Sequence, residues 1–255
     1  MLPVSGLTLR VREPTGADEL VVLEPARSPV ATVVTLADRV TTGAAGETPA
    51  WAELPAADVG AIALTIRQAW LGERISTDTS CPGPACQERM DIEFTIPAYL
   101  AHHRPRRYSG VQAGQEAGWF ELAGPAVSFR LPTIGDLQAA ATSADPERCL
   151  RERCVRPAAV PAAVARRVSR AMTALAPSLT ETITARCPAC GGDDLLRFDP
   201  VAYPLAELRD AAGGLYEEVH LLASAFGWPE DTILALPRGR RIRYADLIRR
   251  QRAAA

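Results

Sequence analysis

Cys81 and Cys86 bracket Pro-Gly-Pro-Ala, and Cys187 and Cys190 bracket Pro-Ala. Each pair puts two sulfur ligands on one short loop, and two such loops can close a single tetrahedral Zn²⁺ site. Four protein thiolates fill the coordination shell and leave no open position, so the chemistry on offer is structural and not catalytic. C-x-x-C is strong ribbon spacing, while C-x₄-C is at the loose end of it. The competing explanation is two unrelated pairs of reduced cysteines. Against that stands a register that continues past the thiols. Counting from the second Cys of each pair, the eighth residue is Phe94 or Phe198 and the thirteenth is Tyr99 or Tyr203. Pro82 and Pro188 each follow the first Cys. The spacing predicts one supersecondary unit used twice, with a metal pinning the copies together.

The remaining reactive side chains form no comparable set. Cys149 and Cys154 are also spaced C-x₄-C, but within Glu147-Arg-Cys-Leu-Arg-Glu-Arg-Cys154, which reads as helix. Residues five apart on a helix diverge by about 140°, a poor geometry for chelation, so buried thiols are expected there. His102, His103 and His220 have no spaced partner ligands, and His220, inside an apolar run, reads as a core or interface histidine. The chain has no G-x-S-x-G, G-x-x-x-x-G-K, G-x-G-x-x-G or H-E-x-x-H motif. No enzymatic activity is expected.

The elements that must position the thiols can be read from periodicity. Ser76 to Cys81 leads into the first thiol loop, and Met90-Asp-Ile-Glu-Phe-Thr-Ile96 alternates behind it as a strand with one wet face should. Leu179 to Arg186 is a strand entering the second loop, and Leu195-Leu-Arg-Phe198 mirrors the arm behind Cys86. Val59, Ile62, Ala63, Ile66 and Trp70 share one face of a helix over 55–70, with Gly72 as its stop. Leu7 to Arg12 suits a half-buried strand, residues 29–41 suit either helix or strand, and 42–50 is a loop. Trp119 to Leu122 and Ala126 to Leu131 are two strands of a hairpin turned at Gly124-Pro125. Thr133 or Asp136 caps a following helix, ahead of a second one carrying Cys149 and Cys154. Val160, Val164, Val168, Met172 and Leu175 make an amphipathic helical stripe. From Leu205 onward the chain is helical, with Gly213-Gly214 weakening the segment by roughly 1 kcal/mol per glycine relative to alanine.

Composition sets wider limits. The 255 residues are 47% apolar and 23% charged, which is ordinary globular usage. A net charge of −2 supplies no global pull toward nucleic acid or anionic membrane. Met1-Leu-Pro-Val-Ser-Gly has neither the basic nor the apolar region of a signal peptide, and apolar runs fall far short of the roughly 20 residues a membrane span needs. A cytoplasmic, reducing setting is therefore expected, where spaced cysteine pairs read as metal ligands before disulfides.

The end of the chain, Arg238-Gly-Arg-Arg-Ile-Arg-Tyr-Ala-Asp-Leu-Ile-Arg-Arg250, reads as a basic helix anchored by Ile242, Leu247 and Ile248. Preceded by Gly227-Trp-Pro, it suits either a docking element or a DNA-contacting helix. Phe226, Trp228, Arg240, Arg241 and Tyr244 are the candidate partner-binding residues, being of the types that dominate binding hot spots.

Taken in order, the helix 55–70, Cys81–Phe94, Phe129-Arg-Leu-Pro-Thr-Ile-Gly-Asp136, Cys187–Cys190, Val219 to Leu236 and Arg240-Arg-Ile-Arg-Tyr244 resemble the baseplate proteins of contractile phage tails and phage-derived injection systems. The T-even-type baseplate hub assembly chaperones are the relatives named by this resemblance, which runs roughly from residue 55 onward. It implies a zinc-stapled accessory factor of the hub or baseplate, without catalysis, whose partners are baseplate or hub proteins; no membrane partner is expected, and the overall charge of −2 argues against nucleic acid. Its setting would be the cytoplasm or an assembled phage-like particle. The chain departs from the pattern at its first loop, where two extra residues separate Cys81 from Cys86. The expected fold is α+β: a helix-rich protein with a zinc-ribbon-like pair of β arms joined by a Cys₄ site. Three parts are expected: a mixed segment 1–54, a helix and the two arms with inserted helices over 55–204, and a C-terminal helical docking module over 205–255. The alternative function is a zinc-containing DNA-binding regulator that uses the basic C-terminal helices.

Overall fold

Short apolar runs separated by proline and glycine give many short elements, and the computed structural model, which describes residues 1–25 and 28–254, contains both helices and sheets. In chain order they are β1 (Arg10–Val11), α1 (Gly16–Leu23), α2 (Pro29–Val40), β2 (Thr41–Thr42), α3 (Val59–Leu71), β3 (Arg74–Ser80), β4 (Arg89–Thr95) and α4 (Ile96–His102). Next come β5 (Val111–Ala113), β6 (Trp119–Leu122), β7 (Val127–Arg130), α5 (Ile134–Ala141), α6 (Pro146–Cys154), β8 (Val155–Arg156) and α7 (Ala162–Leu175). The chain ends with β9 (Glu181–Arg186), β10 (Asp193–Phe198), α8 (Ala202–Ala212), α9 (Leu215–Phe226), α10 (Glu230–Leu234) and α11 (Arg238–Ala253). The α+β class is as expected from the sequence.

These elements gather into two units, one of residues 1–8, 49–61 and 75–199, the other of 9–48, 62–74 and 200–255. The expected boundaries at 54/55 and 204/205 do not coincide with the edges of these units. The C-terminal helices fold with residues 9–48 and 62–74 and do not make a module of their own.

In the first unit, β5, β6, β7 and β8 form an antiparallel sheet in that order. Leu122, Val127, Phe129 and Val155 point from it into a core closed by Val168 and Ala171 of α7. The valine stripe of α7 has a helical period, so one face packs on the sheet. Gly124, at φ 100°, turns the β6–β7 hairpin through the left-handed region that a side chain would strain. At the start of α5, Thr133 accepts the Asp136 N–H at 3.3 Å while the Asp136 carboxylate accepts the Thr133 N–H at 2.9 Å, a reciprocal cap. That carboxylate is buried and also holds Arg130 and Arg153. Cys154 is buried beside it with its thiol 3.7 Å from Asp136 Oδ2, whereas Cys149 is only half-buried.

The second unit is helical around one short β1–β2 ladder. Pro29–Val40 resolve as helix because Ser28 caps α2, accepting the Ala31 N–H at 3.1 Å, with Pro29 in the first turn, and Thr41 begins β2. The alternation over 7–12 yields only two paired residues, since Thr41–Thr42 is all the partner strand there is. The Leu205–Phe226 segment breaks at Gly213-Gly214 into α8 and α9, and Gly227, left-handed at φ 67°, ends α9. Leu221, Leu222, Ile233, Ala245 and Ile248 form the core of α9, α10 and α11.

Candidate metal centre

Two hairpins of the same design carry the thiols. β3 and β4 pair across the first loop, and β9 and β10 pair antiparallel across the second. In each, the N–H of the first Cys donates to the carbonyl two residues beyond the second Cys: Cys81 to Glu88 and Cys187 to Gly192, both at 2.8 Å. In each, the residue just after the second Cys is left-handed, Gln87 at φ 51° and Gly191 at φ 72°. Gln87 is the one non-glycine among the described residues with positive φ, so the first loop adopts the knuckle turn at some cost in strain. Its two extra residues are taken up inside the loop, where the Cys86 N–H donates to Gly83 at 2.9 Å. The stem is unchanged by them.

The loops bring all four sulfurs within 4.8 Å of one another. Cys81 Sγ lies 3.5 Å from Cys190 Sγ, and Cys86 Sγ lies 3.7 Å from Cys187 Sγ. A tetrahedral ion with metal–sulfur bonds of ~2.3 Å requires sulfur–sulfur edges of about 3.8 Å, so the set fits a metal ion. A disulfide would need a separation of ~2.05 Å. Cys81 and Cys187 are buried, Cys86 is half-buried and Cys190 is exposed, with Met90 and Ala185 packed alongside.

The electrostatics suit a cation. Backbone N–H groups of Cys190 and Ala189 draw the Cys187 thiol down to about 7. At Cys81 the Gly83 N–H pulls the same way, but desolvation and the neighbouring thiols outweigh it and push the group up to about 12. Such a cluster holds a first negative charge readily and resists more. A bound cation removes that resistance, since a coordinating thiol is deprotonated outright.

The arms meet beyond the thiols as well. The Thr79 hydroxyl donates to Asp194 at 2.9 Å. Phe94 and Phe198 meet edge to face with centroids 5.1 Å apart, and the Tyr99 ring lies 5.4 Å and 5.1 Å from them. The Tyr99 hydroxyl donates to the Leu179 carbonyl, and burial, followed by the charge of Glu181, pushes this phenol up. His103 Nε2 lies 3.0 Å from Glu181, so α4 behind the first arm is tied to β9 of the second. Each arm therefore runs strand, loop, strand, helix: β3, β4 and α4 repeat as β9, β10 and α8. The tyrosine echo ends differently, because Tyr203 lies in α8 of the second unit.

The remaining sequence-selected residues fall into two groups. Phe226, Trp228 and Tyr244 come together, with centroids 5.0 Å, 6.3 Å and 5.5 Å apart. Phe226 is 48% exposed, while Trp228 and Tyr244 are half-buried against the α9–α11 core. Arg240 is exposed. Arg241 is not a surface residue: it is 1% exposed and its guanidinium pairs with Glu19 and Glu218. Nor is His220 a core histidine, since it is exposed on α9. Leu247, expected as an anchor, is 48% exposed, and Ala245 packs inward beside Ile248 in its place.

No helix among the described residues is long and apolar enough to cross a membrane. No protein-family model, curated protein or solved structure matches the chain.

Proposed function

We propose that this protein is a non-enzymatic assembly factor or structural component of the baseplate hub of a contractile phage tail or phage-like injection system, acting by protein–protein binding on a scaffold stapled by Zn²⁺. The observation that carries the scaffold part is the convergence of Cys81, Cys86, Cys187 and Cys190 from two hairpins of one design. An all-thiolate tetrahedral set selects zinc or an iron–sulfur centre, and knuckle loops of this spacing favour zinc. With four protein ligands the ion fixes the arms and offers nothing to a substrate. The baseplate part is supported by the ordered resemblance through Phe129–Asp136, the thiol loops and Val219–Leu236.

The binding surface is the aromatic cluster of Phe226, Trp228 and Tyr244 with Arg240 beside it. Trp228 and Tyr244 also serve the core, so Phe226 and Arg240 are the clean probes. The test is co-expression with sheath, tube and hub proteins of a contractile tail, followed by affinity purification. Wild type should bring down a hub or baseplate protein, and Phe226→Asp with Arg240→Glu should reduce capture at least tenfold while circular dichroism stays unchanged. Failure of wild type to bind any tail protein overturns the function; equal capture by the double variant overturns the surface.

A further inference from the structure

The second unit places six of its arginines on carboxylates, while Arg10, Arg209 and Arg252 are exposed without an ion pair among the described residues. Arg12 and Arg39 share Asp18, Arg67 holds Glu207, Arg238 and Arg241 share Glu19, and Arg249 holds Glu217 and Asp246. Arg240, Arg243 and Arg250 are exposed, and among the described residues they form no ion pair. At 3.6 residues per turn these three fall within about 80° of α11, opposite the buried Arg241, Ala245 and Ile248. Leu247 projects between them, 48% exposed. Tyr244 borders the stripe and joins it to Phe226 and Trp228.

Helix stability does not account for this placement. Cations favour the last turn of a helix, which explains Arg250, but the first turn disfavours them. Arg238, Arg240 and Arg241 all stand in the first turn or at its edge. Glu19 and Glu218 compensate Arg238 and Arg241, and nothing compensates Arg240. Glu13 lines a hollow with Arg240 and Arg243 and accepts the Gly239 N–H at 3.1 Å.

We infer that the exposed face of α11 docks an acidic amphipathic helix of a partner protein. Its carboxylates meet Arg240, Arg243 and Arg250, and its apolar stripe covers Leu247 and the adjoining aromatic cluster. Residues three and four apart share a helix face, so a partner carrying acid and leucine at that spacing matches the stripe over three turns. A phosphate backbone would satisfy the arginines but leave Leu247 and Phe226 uncovered. The inference rests on reading the protein as a binding scaffold and adds the chemistry of the partner.

The test is a selection of helical peptides of about 14 residues, roughly 21 Å of helix, from a random library on the full zinc-loaded chain. Enriched peptides should be acidic with a leucine or isoleucine each turn. By fluorescence anisotropy the best of them should bind Leu247→Asp and the pair Arg243→Glu, Arg250→Glu at least tenfold more weakly. A lysine-substituted copy should bind the arginine-reversed pair better than it binds wild type. A short DNA duplex is titrated in parallel, and all variants are checked by thermal melt, which changes at these exposed positions should not move. Enrichment of basic or neutral peptides, indifference of the acidic peptide to Leu247→Asp, or tighter arginine-dependent binding of the duplex would overturn the inference. If peptides behave as stated but no tail protein co-purifies, the baseplate reading fails alone. If the baseplate protein co-purifies but the stripe variants retain it, the docking inference fails alone.

Discussion

Arg241 and Arg240 are adjacent in a basic run and have opposite fates. The sequence offers no sign of this, because a guanidinium is buried only when carboxylates meet it, and Glu19 lies 222 residues away. Removing one member of a buried ion pair strands the others, at a cost of about 3–5 kcal/mol. Arg241→Ala should therefore lower the unfolding free energy by about that much in urea, whereas Arg240→Ala should change it by no more than ~0.5 kcal/mol. Asp136 supplies a pH prediction. Burial works against its charge, but Arg130, the Thr133 N–H and Arg153 outweigh burial and hold the carboxyl well below its usual range. In the unfolded chain it takes up a proton near pH ~3.9, so below that the unfolded state binds more protons and stability falls as pH falls. Urea titrations from pH 6 to pH 2 should show this loss, and Asp136→Asn should be less stable at pH 6 with a flatter decline. The thiols, by contrast, were legible in full: soft ligands at short spacing announce themselves, and the Phe94 and Phe198 echo marks the arms that carry them.

Elements were legible where local chemistry decides them. The Thr133–Asp136 cap, the β6–β7 turn at Gly124 and the break at Gly213-Gly214 each follow from side chains or missing ones within a turn of the position. Thr133→Ala should cost about 1 kcal/mol in thermal or urea unfolding, since it removes the acceptor for the Asp136 N–H. Where the outcome depends on a distant partner, the sequence was silent. Periodicity could not choose helix or strand for 29–41, and the 7–12 alternation could not reveal how short its partner would be. The first thiol loop shows the reverse case. Its C-x₄-C spacing reads as a departure, yet the Cys81–Glu88 bond and the left-handed Gln87 restore the stem geometry of the C-x-x-C loop.

At the scale of the molecule, three separated stretches build each unit, and nothing in local spacing encodes that assembly. The metal site is the exception, because its ligands carry a spacing rule of their own. Structural zinc is worth about 10–16 kcal/mol in small zinc peptides, as much as the whole stability of an ordinary domain. Chelation should therefore release the hairpins: amide protection should fall across β3, β4, β9 and β10 and persist in the α9–α11 core. The central claim is that the four thiols share one ion, and the direct measurement is the metal content of the purified chain beside Cys187→Ser. Wild type should carry about one Zn²⁺ per chain and Cys187→Ser essentially none. A metal-free wild-type chain, folded and with its hairpin amides protected, would contradict that claim.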